Sequence, residues 1–226
     1  MSTTGPRDAA AFEVREALGQ PGCAICRVTQ RSVIRLLRTI ASEQVNDLEL
    51  RSQLRSAGGF CNPHAYAWLR EAKSTLGTAL MYRDVLTAAQ RELDSPPRGR
   101  RGRTWIRPDR PVNDCPACLA QREAEARYIE ALLASLAAEE TSRVAFDASD
   151  GLCRRHALAA IRSGRDGAEC AAQRTRQVVA ALIADLDEVI RKEDYRFRHE
   201  PRKDAERSAP ARAVGFAAGF EGLVDN

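Results

Sequence analysis

The sequence has few lysines, few aromatics and no long apolar run. Lysine occurs only at Lys73, Lys192 and Lys203 among 35 basic residues. Arginine therefore supplies nearly all the positive charge, a bias that a GC-rich genome produces and that also suits phosphate contacts. Aromatics are 5% of the chain, and alternation of the strand type is absent, which points away from a β-sandwich and, with abundant alanine, towards helices. The longest near-apolar runs, Ala131–Ala138 and Val178–Ala184, fall far short of the roughly 20 residues a membrane-spanning helix needs. The opening MSTTGPRDAAAFEV has no apolar h-region, so no secretory signal is expected and a cytoplasmic location is.

Catalytic signatures are missing as well. There is no H-E-x-x-H, no G-x-S-x-G and no P-loop, and their absence removes the common zinc-protease, hydrolase and nucleotide-binding readings. C-x-x-C-H, the covalent haem signature, is absent. A zinc deaminase needs H-x-E, whereas His64 is followed by Ala65-Tyr66 and His156 by Ala157-Leu158.

What the sequence does have is a grid of cysteines. Cys23-x-x-Cys26 is followed by Cys61-x-x-His64, then Cys115-x-x-Cys118 by Cys153-x-x-His156, each position displaced by 92 residues. Six of seven cysteines and two of three histidines fall in it. The surroundings repeat too. Ala57-Gly58-Gly59-Phe60-Cys61 matches Ser149-Asp150-Gly151-Leu152-Cys153, and at the same offset Leu37 meets Ile129, Ile40 meets Leu132 and Leu54 meets Phe146. After the histidine the register slips by one, so that Val85 meets Val178. The pattern reads as a tandem duplication of a helical unit, spanning residues 21–94 and 113–193. Residues 1–20 precede it, a linker covers 95–112 and a tail covers 194–226.

Each unit parses as about four helices. In the first they run from about Ala24 to Glu43, with Ile25, Val28, Val33, Leu36, Leu37 and Ile40 inward; from about Asp47 to Ser56, stopped at Gly58-Gly59; from near Pro63, carrying Ala65, Trp68 and Leu69; and from about Leu76 to Leu93, with Leu76, Leu80, Val85, Leu86, Ala89 and Leu93 inward. The second unit repeats this from Pro116 to about Ile190. The expected fold is all-α, a tandem duplication with each unit stapled by its own metal site.

Two cysteines three positions apart at a helix start can grip one ion. Helix N-termini lower thiol pKa values, which favours the thiolate. Three thiolates and an imidazole form an established structural zinc set. The expected ligands are therefore Cys23, Cys26, Cys61 and His64 in one unit and Cys115, Cys118, Cys153 and His156 in the other, with two zinc ions per chain. Pairing within a unit is the simplest arrangement, and exchange of pairs between units is the alternative. An iron–sulfur cluster or thiol–disulfide chemistry at the C-x-x-C pairs would make the protein a redox protein instead. A site with four protein ligands has no open position for water, so no catalytic residue is assigned. Cys170 reads as a small core residue and His199 as a surface one.

Residues 95–112 read SPPRGRRGRTWIRPDRPV, with six arginines and one aspartate, while the whole chain is only +4. Arg98, Arg100, Arg101, Arg103 and Arg107 with Trp105 are the candidate partner-binding residues, suited to nucleic acid or an acidic protein surface. A solvated linker is the plainer reading. Arg27, Arg31, Arg35 and Arg38 line one face of the first helix, a stripe for an acidic partner or a solvated or internally paired face. In the tail, Phe216 and Phe220 lie four apart and suit one docked helical turn, or a frayed end.

The doubled C-x-x-C…G-[F/L]-C-x-x-H pattern, CPAC at 115–118, DYRFRHEP at 194–201 and Arg212-Ala213-Val214 resemble an uncharacterised prokaryotic domain-of-unknown-function family. Cys23-Ala24-Ile25-Cys26 departs from its pattern by lacking Pro after the first cysteine, and Ser208-Ala209-Pro210 by lacking an aromatic. The resemblance supports the repeat and the ligands and implies no reaction. The functional expectation is a zinc-binding helical protein, more a binding or regulatory module than an enzyme.

Overall fold

The computed structural model describes residues 6–94 and 115–221; the candidate partner-binding residues Arg98, Arg100, Arg101, Arg103, Trp105 and Arg107 lie outside them. Among the described residues the protein is all-α, with no strand. The helices are α1 (Pro6–Leu18), α2 (Ala24–Thr39), α3 (Leu48–Ala57), α4 (Asn62–Glu71), α5 (Thr75–Asp94), α6 (Pro116–Ala138), α7 (Glu140–Ala148), α8 (Arg154–Arg162), α9 (Ala168–Arg191) and α10 (Asp204–Ala218). A turn of π-helix, Ile40–Gln44, continues α2. Ala24 and Pro116, Leu48 and Glu140, and Asn62 and Arg154 open helices 92 residues apart, and Thr75 and Ala168 open them 93 apart, matching the expected register and its slip.

Local chemistry sets the boundaries. Asp47 caps α3 by accepting the Leu50 N–H at 2.7 Å. Gly58 ends α3 at φ 69°, and the Gly59 N–H reaches back to the Leu54 carbonyl at 2.7 Å. That 6→1 closure needs a left-handed residue, which glycine adopts without a Cβ penalty.

The described residues form two compact bodies whose boundaries differ from the expected units: those up to Thr29 with Glu125–Glu221, and those from Gln30 to Ala124. In the second body Val33, Leu37 and Ile40 pack with Leu54, Phe60, Trp68, Met81 and Val85 and with the Cys115–Cys118 turn. Trp68 is fully buried, stacks on Phe60 at 5.7 Å, and donates its indole N–H to Thr78 Oγ1 at 2.9 Å. Helix α5 faces this core with Gly77, Met81 and Val85. Leu76, Leu86 and Leu93, part of the apolar pattern read for this helix, are exposed. The small residue decides the face: a Cβ on Gly77 would stand 3.0 Å from Val45 Cγ2, so the helix is seated on its glycine side.

In the first body Val14 and Leu18 of α1, Ile25 and Val28 of α2, Tyr128, Leu132 and Leu136 of α6 and Phe146 of α7 are buried. Helix α10 packs on α9 and α8, so the described part of the tail is docked rather than frayed. Its anchor is the Lys192 ammonium, which donates to Glu206 Oε2 at 2.7 Å and Oε1 at 2.9 Å and to the Pro201 carbonyl at 3.1 Å. Arg191 joins Glu188 to Glu200 and lies over the Phe197 ring at 4.8 Å. The DYRFRHEP stretch is thus the turn that folds α10 back onto α9. No helix of the described residues is long and apolar enough to cross a membrane.

Candidate metal centres

All four ligand pairs occupy the same local position, the residue before a helix and the third residue within it. Cys61 and Cys153 are the N-caps of α4 and α8, and Cys23 and Cys115 immediately precede α2 and α6. In each case the carbonyl of that first cysteine accepts the first helical bond: Arg27 to Cys23, Ala65 to Cys61, Leu119 to Cys115, Ala157 to Cys153. Two side chains at such spacing project from one end of the helix, beside unpaired backbone N–H groups and the positive end of the macrodipole, where thiolates are favoured.

The eight candidate ligands gather into two sets, and the grouping corrects the within-unit expectation. The first centre is Cys23, Cys26, Cys153 and His156; the second is Cys61, His64, Cys115 and Cys118. Each set joins two helix N-termini, α2 with α8 and α4 with α6, so each takes one pair from residues 21–94 and one from residues 113–193.

In each set the ligand atoms lie within 4.8 Å of one another. Around His156 Nδ1 in the first centre, Cys23 and Cys26 stand at 3.4 Å and Cys153 at 3.2 Å, and the Cys26 and Cys153 sulfurs are 3.6 Å apart. Around His64 Nδ1 in the second, Cys61 is at 3.2 Å, Cys118 at 3.4 Å and Cys115 at 3.7 Å, with the Cys61 and Cys118 sulfurs 3.5 Å apart. All seven cysteines are free thiols. A tetrahedron built on metal–sulfur bonds of about 2.3 Å and metal–nitrogen bonds of about 2.05 Å has edges of about 3.5–3.8 Å. The observed separations match it, so each set can hold one metal ion.

The electrostatics agree. In the first centre hydrogen bonding to Cys153 pushes the Cys26 thiol up, while hydrogen bonds from Cys23 and Cys26 pull Cys153 down. In the second, Cys118 is pushed up chiefly by Cys115, which is itself pulled down by Cys118 and Cys61. Crowded thiols therefore cannot all ionise without a cation. Burial disfavours the charged imidazoles, but thiol contacts outweigh it. Cys115 and Cys61 raise His64 to about 9, and Cys153, Cys23 and Glu125 raise His156 to about 11. A divalent ion would take the place of these protons and settle the competition among the sulfurs.

The surroundings of the two centres differ. Glu125, buried and paired with Arg155, sets Oε1 3.6 Å from His156 Nε2. Neither that nitrogen nor His64 Nε2 has a hydrogen-bond partner. The position 92 residues before Glu125 is Val33, an apolar core residue. A Cβ on Gly219, just past α10, would meet Cys26 Sγ at 3.4 Å, so the tail backbone lies over the first centre. Phe220 packs on Gly22 and beneath the Arg27 guanidinium. A cavity of about 290 Å³ adjoins this centre, with Cys23, Cys153, Leu152, Leu182 and Phe216 in its wall. Sequence reasoning missed Glu125 and Gly219, and gave Phe220 only as a docking residue of the tail; an acidic residue 92 positions after a buried valine was the available signal for Glu125.

Cys170 is half-buried and outside both sets, and His199 is exposed. The α2 arginine stripe is internally engaged: Arg38 pairs with Glu71 at 2.7 Å, Arg27 holds Phe220, and Arg31 and Arg35 also have partners.

No protein-family model matches the chain, and no solved structure matches it. Over 206 residues it is 24% identical to an uncharacterized 23.9 kDa protein in the xynA 3'region of Caldicellulosiruptor sp. (strain Rt8B.4), covering 88% of this chain and 96% of that protein.

Proposed function

We propose that this chain is a zinc protein in which two Cys3His centres staple a duplicated helical unit, and that it acts by binding another macromolecule in the cytoplasm rather than by catalysis. The carrying observation is the convergence of eight sulfur and nitrogen atoms into two sets, each within 4.8 Å. Sets of this size suit a single ion with an affinity for thiolate and imidazole. An iron–sulfur cluster places several irons and sulfides between its ligands and spreads them wider. With four protein ligands no position remains for substrate or water. Helix starts at the 92-residue spacing support the duplication of residues 21–94 and 113–193, and the seven free thiols suit a reducing compartment.

Metal analysis of anaerobically purified protein tests the reading: two zinc ions per chain and no colour are expected. Brown protein containing iron would establish the redox alternative, and a metal-free chain would end the metal reading. The acidic-partner part of the proposal rests on Arg98, Arg100, Arg101, Arg103, Arg107 and Trp105. Replacing residues 95–112 by a Gly/Ser segment should flatten the salt dependence of nucleic-acid binding, which scales at about 0.7–0.9 log units per neutralised phosphate. Unchanged binding would remove that partner.

A further inference from the structure

The two centres use the same four ligand types but differ in burial and in the groups beside them. In the first, all four ligands are buried and Cys23 is the most exposed at 6%. The Glu125 carboxylate stands against the outer nitrogen of its histidine, and the Gly219 backbone covers two of its sulfurs. In the second, Cys61 is only partly buried while its three companions are buried. The outer nitrogens of both histidines are buried without a hydrogen bond, but Glu125 brings a carboxylate to 3.6 Å from that of His156, whereas the position 92 residues before Glu125 is the apolar Val33. Partners to a ligand histidine typically change metal affinity by about ten- to hundred-fold. Oxidation of a cysteine follows its thiolate character and its access to solvent.

We infer that Cys61 is an oxidation site, and that the second centre is a peroxide-responsive metal centre while the first is permanent. This rests on the proposed zinc reading. The Cys61 thiolate attacks one oxygen of a hydroperoxide, the O–O bond breaks, and hydroxide leaves with the electron pair, giving a Cys61 sulfenic acid. The Cys118 thiolate, its sulfur 3.5 Å away, then attacks the Cys61 sulfur, the S–O bond breaks and a second hydroxide leaves. In sum, two thiolates are oxidised to one disulfide and one hydrogen peroxide is reduced to two hydroxides. Only Cys115 and His64 then remain to the ion, and two ligands do not retain zinc in a four-ligand site. Metal release frees the N-termini of α4 and α6 from one another, so the response is built into the second body alone.

The test uses the full chain loaded with two zinc ions and treated with equimolar hydrogen peroxide, with a chromogenic zinc chelator reading release and peptide mass spectrometry reading the bridge. One zinc equivalent should leave at a rate about ten-fold or more above the second. The disulfide should contain Cys61, and Cys23, Cys26 and Cys153 should stay reduced. In Glu125→Gln the first centre should lose its advantage and release should become two equivalents at similar rates. Simultaneous release from both centres of the unaltered chain, oxidation of Cys23, Cys26 or Cys153 first, or a bridge excluding Cys61 would overturn the inference while leaving the zinc reading intact. A chain that binds no zinc when purified without oxygen would overturn the zinc reading and this inference together.

Discussion

Cys26 and Cys153 lie 127 residues apart in the chain and bring their sulfurs to 3.6 Å, while Cys61, nearer to Cys26 in sequence, meets Cys118 at 3.5 Å. The exchange has a stoichiometric signature. Cys26→Ser and Cys153→Ser should each reduce bound zinc from two ions to one, and the double variant should lose no more than either single one, because both act on the same ion. Cys26→Ser with Cys61→Ser should lose both. Within-repeat pairing would give the opposite result for these doubles, and metal analysis distinguishes them.

Stripping the metal should unfold the protein in part. Zinc contributes on the order of 10 kcal/mol to the folding of small zinc peptides, and these helical bodies have few aromatics with which to replace it. Chelation should lower both helicity and melting temperature, followed by circular dichroism. Cys170→Ser, outside both centres, should do much less.

The Lys192–Glu206 pair should make the tail acid-sensitive. Hydrogen bonds from the Lys192 ammonium hold Glu206 below the usual carboxylate range. A depressed folded pKa adds stability that is complete above the unfolded value of about 4.3 and fades as pH falls through the lower folded value. Hydrogen exchange should show α10 losing protection ahead of α9 below about pH 4. Lys192→Met, which leaves Glu206 buried without its partner, should move that loss to higher pH. Protection of α10 that is indifferent to pH between 7 and 3 would show that another contact anchors it.

Gly167 should tolerate no side chain. It opens α9 at φ +85°, and a Cβ there would fall 2.3 Å from the Leu133 carbonyl oxygen. Left-handed strain alone costs about 1–3 kcal/mol, and this clash is with backbone, which cannot rotate away. Gly167→Ala should therefore lower the denaturant midpoint clearly. Gly164→Ala, at φ +61° with nothing within 4 Å, should show the strain alone.

The sequence by itself determined what is local. A cysteine before a helix and a ligand three residues later is a short-range pattern, so all eight candidate ligands and the four helix starts of each repeat were legible from the 92-residue spacing. Asp47, Gly58 and Pro63 marked boundaries through their own backbone chemistry. Periodicity also found the α2 face, where Val33, Leu37 and Ile40 are buried. On α5 it found Val85, which is buried, but also Leu76, Leu86 and Leu93, which are exposed, because a stripe of leucines says that a helix has an apolar side without saying which side meets the core. Gly77, lying against Val45, settled that by allowing close approach. The assembly of pairs into centres was decided only by tertiary structure. Either grouping satisfies the same spacing, and the choice depends on which helix N-termini the packing brings together: α2 with α8, and α4 with α6. Glu125 belongs to the same class, since its bearing on His156 depends on an approach between α6 and α8 that no local pattern encodes.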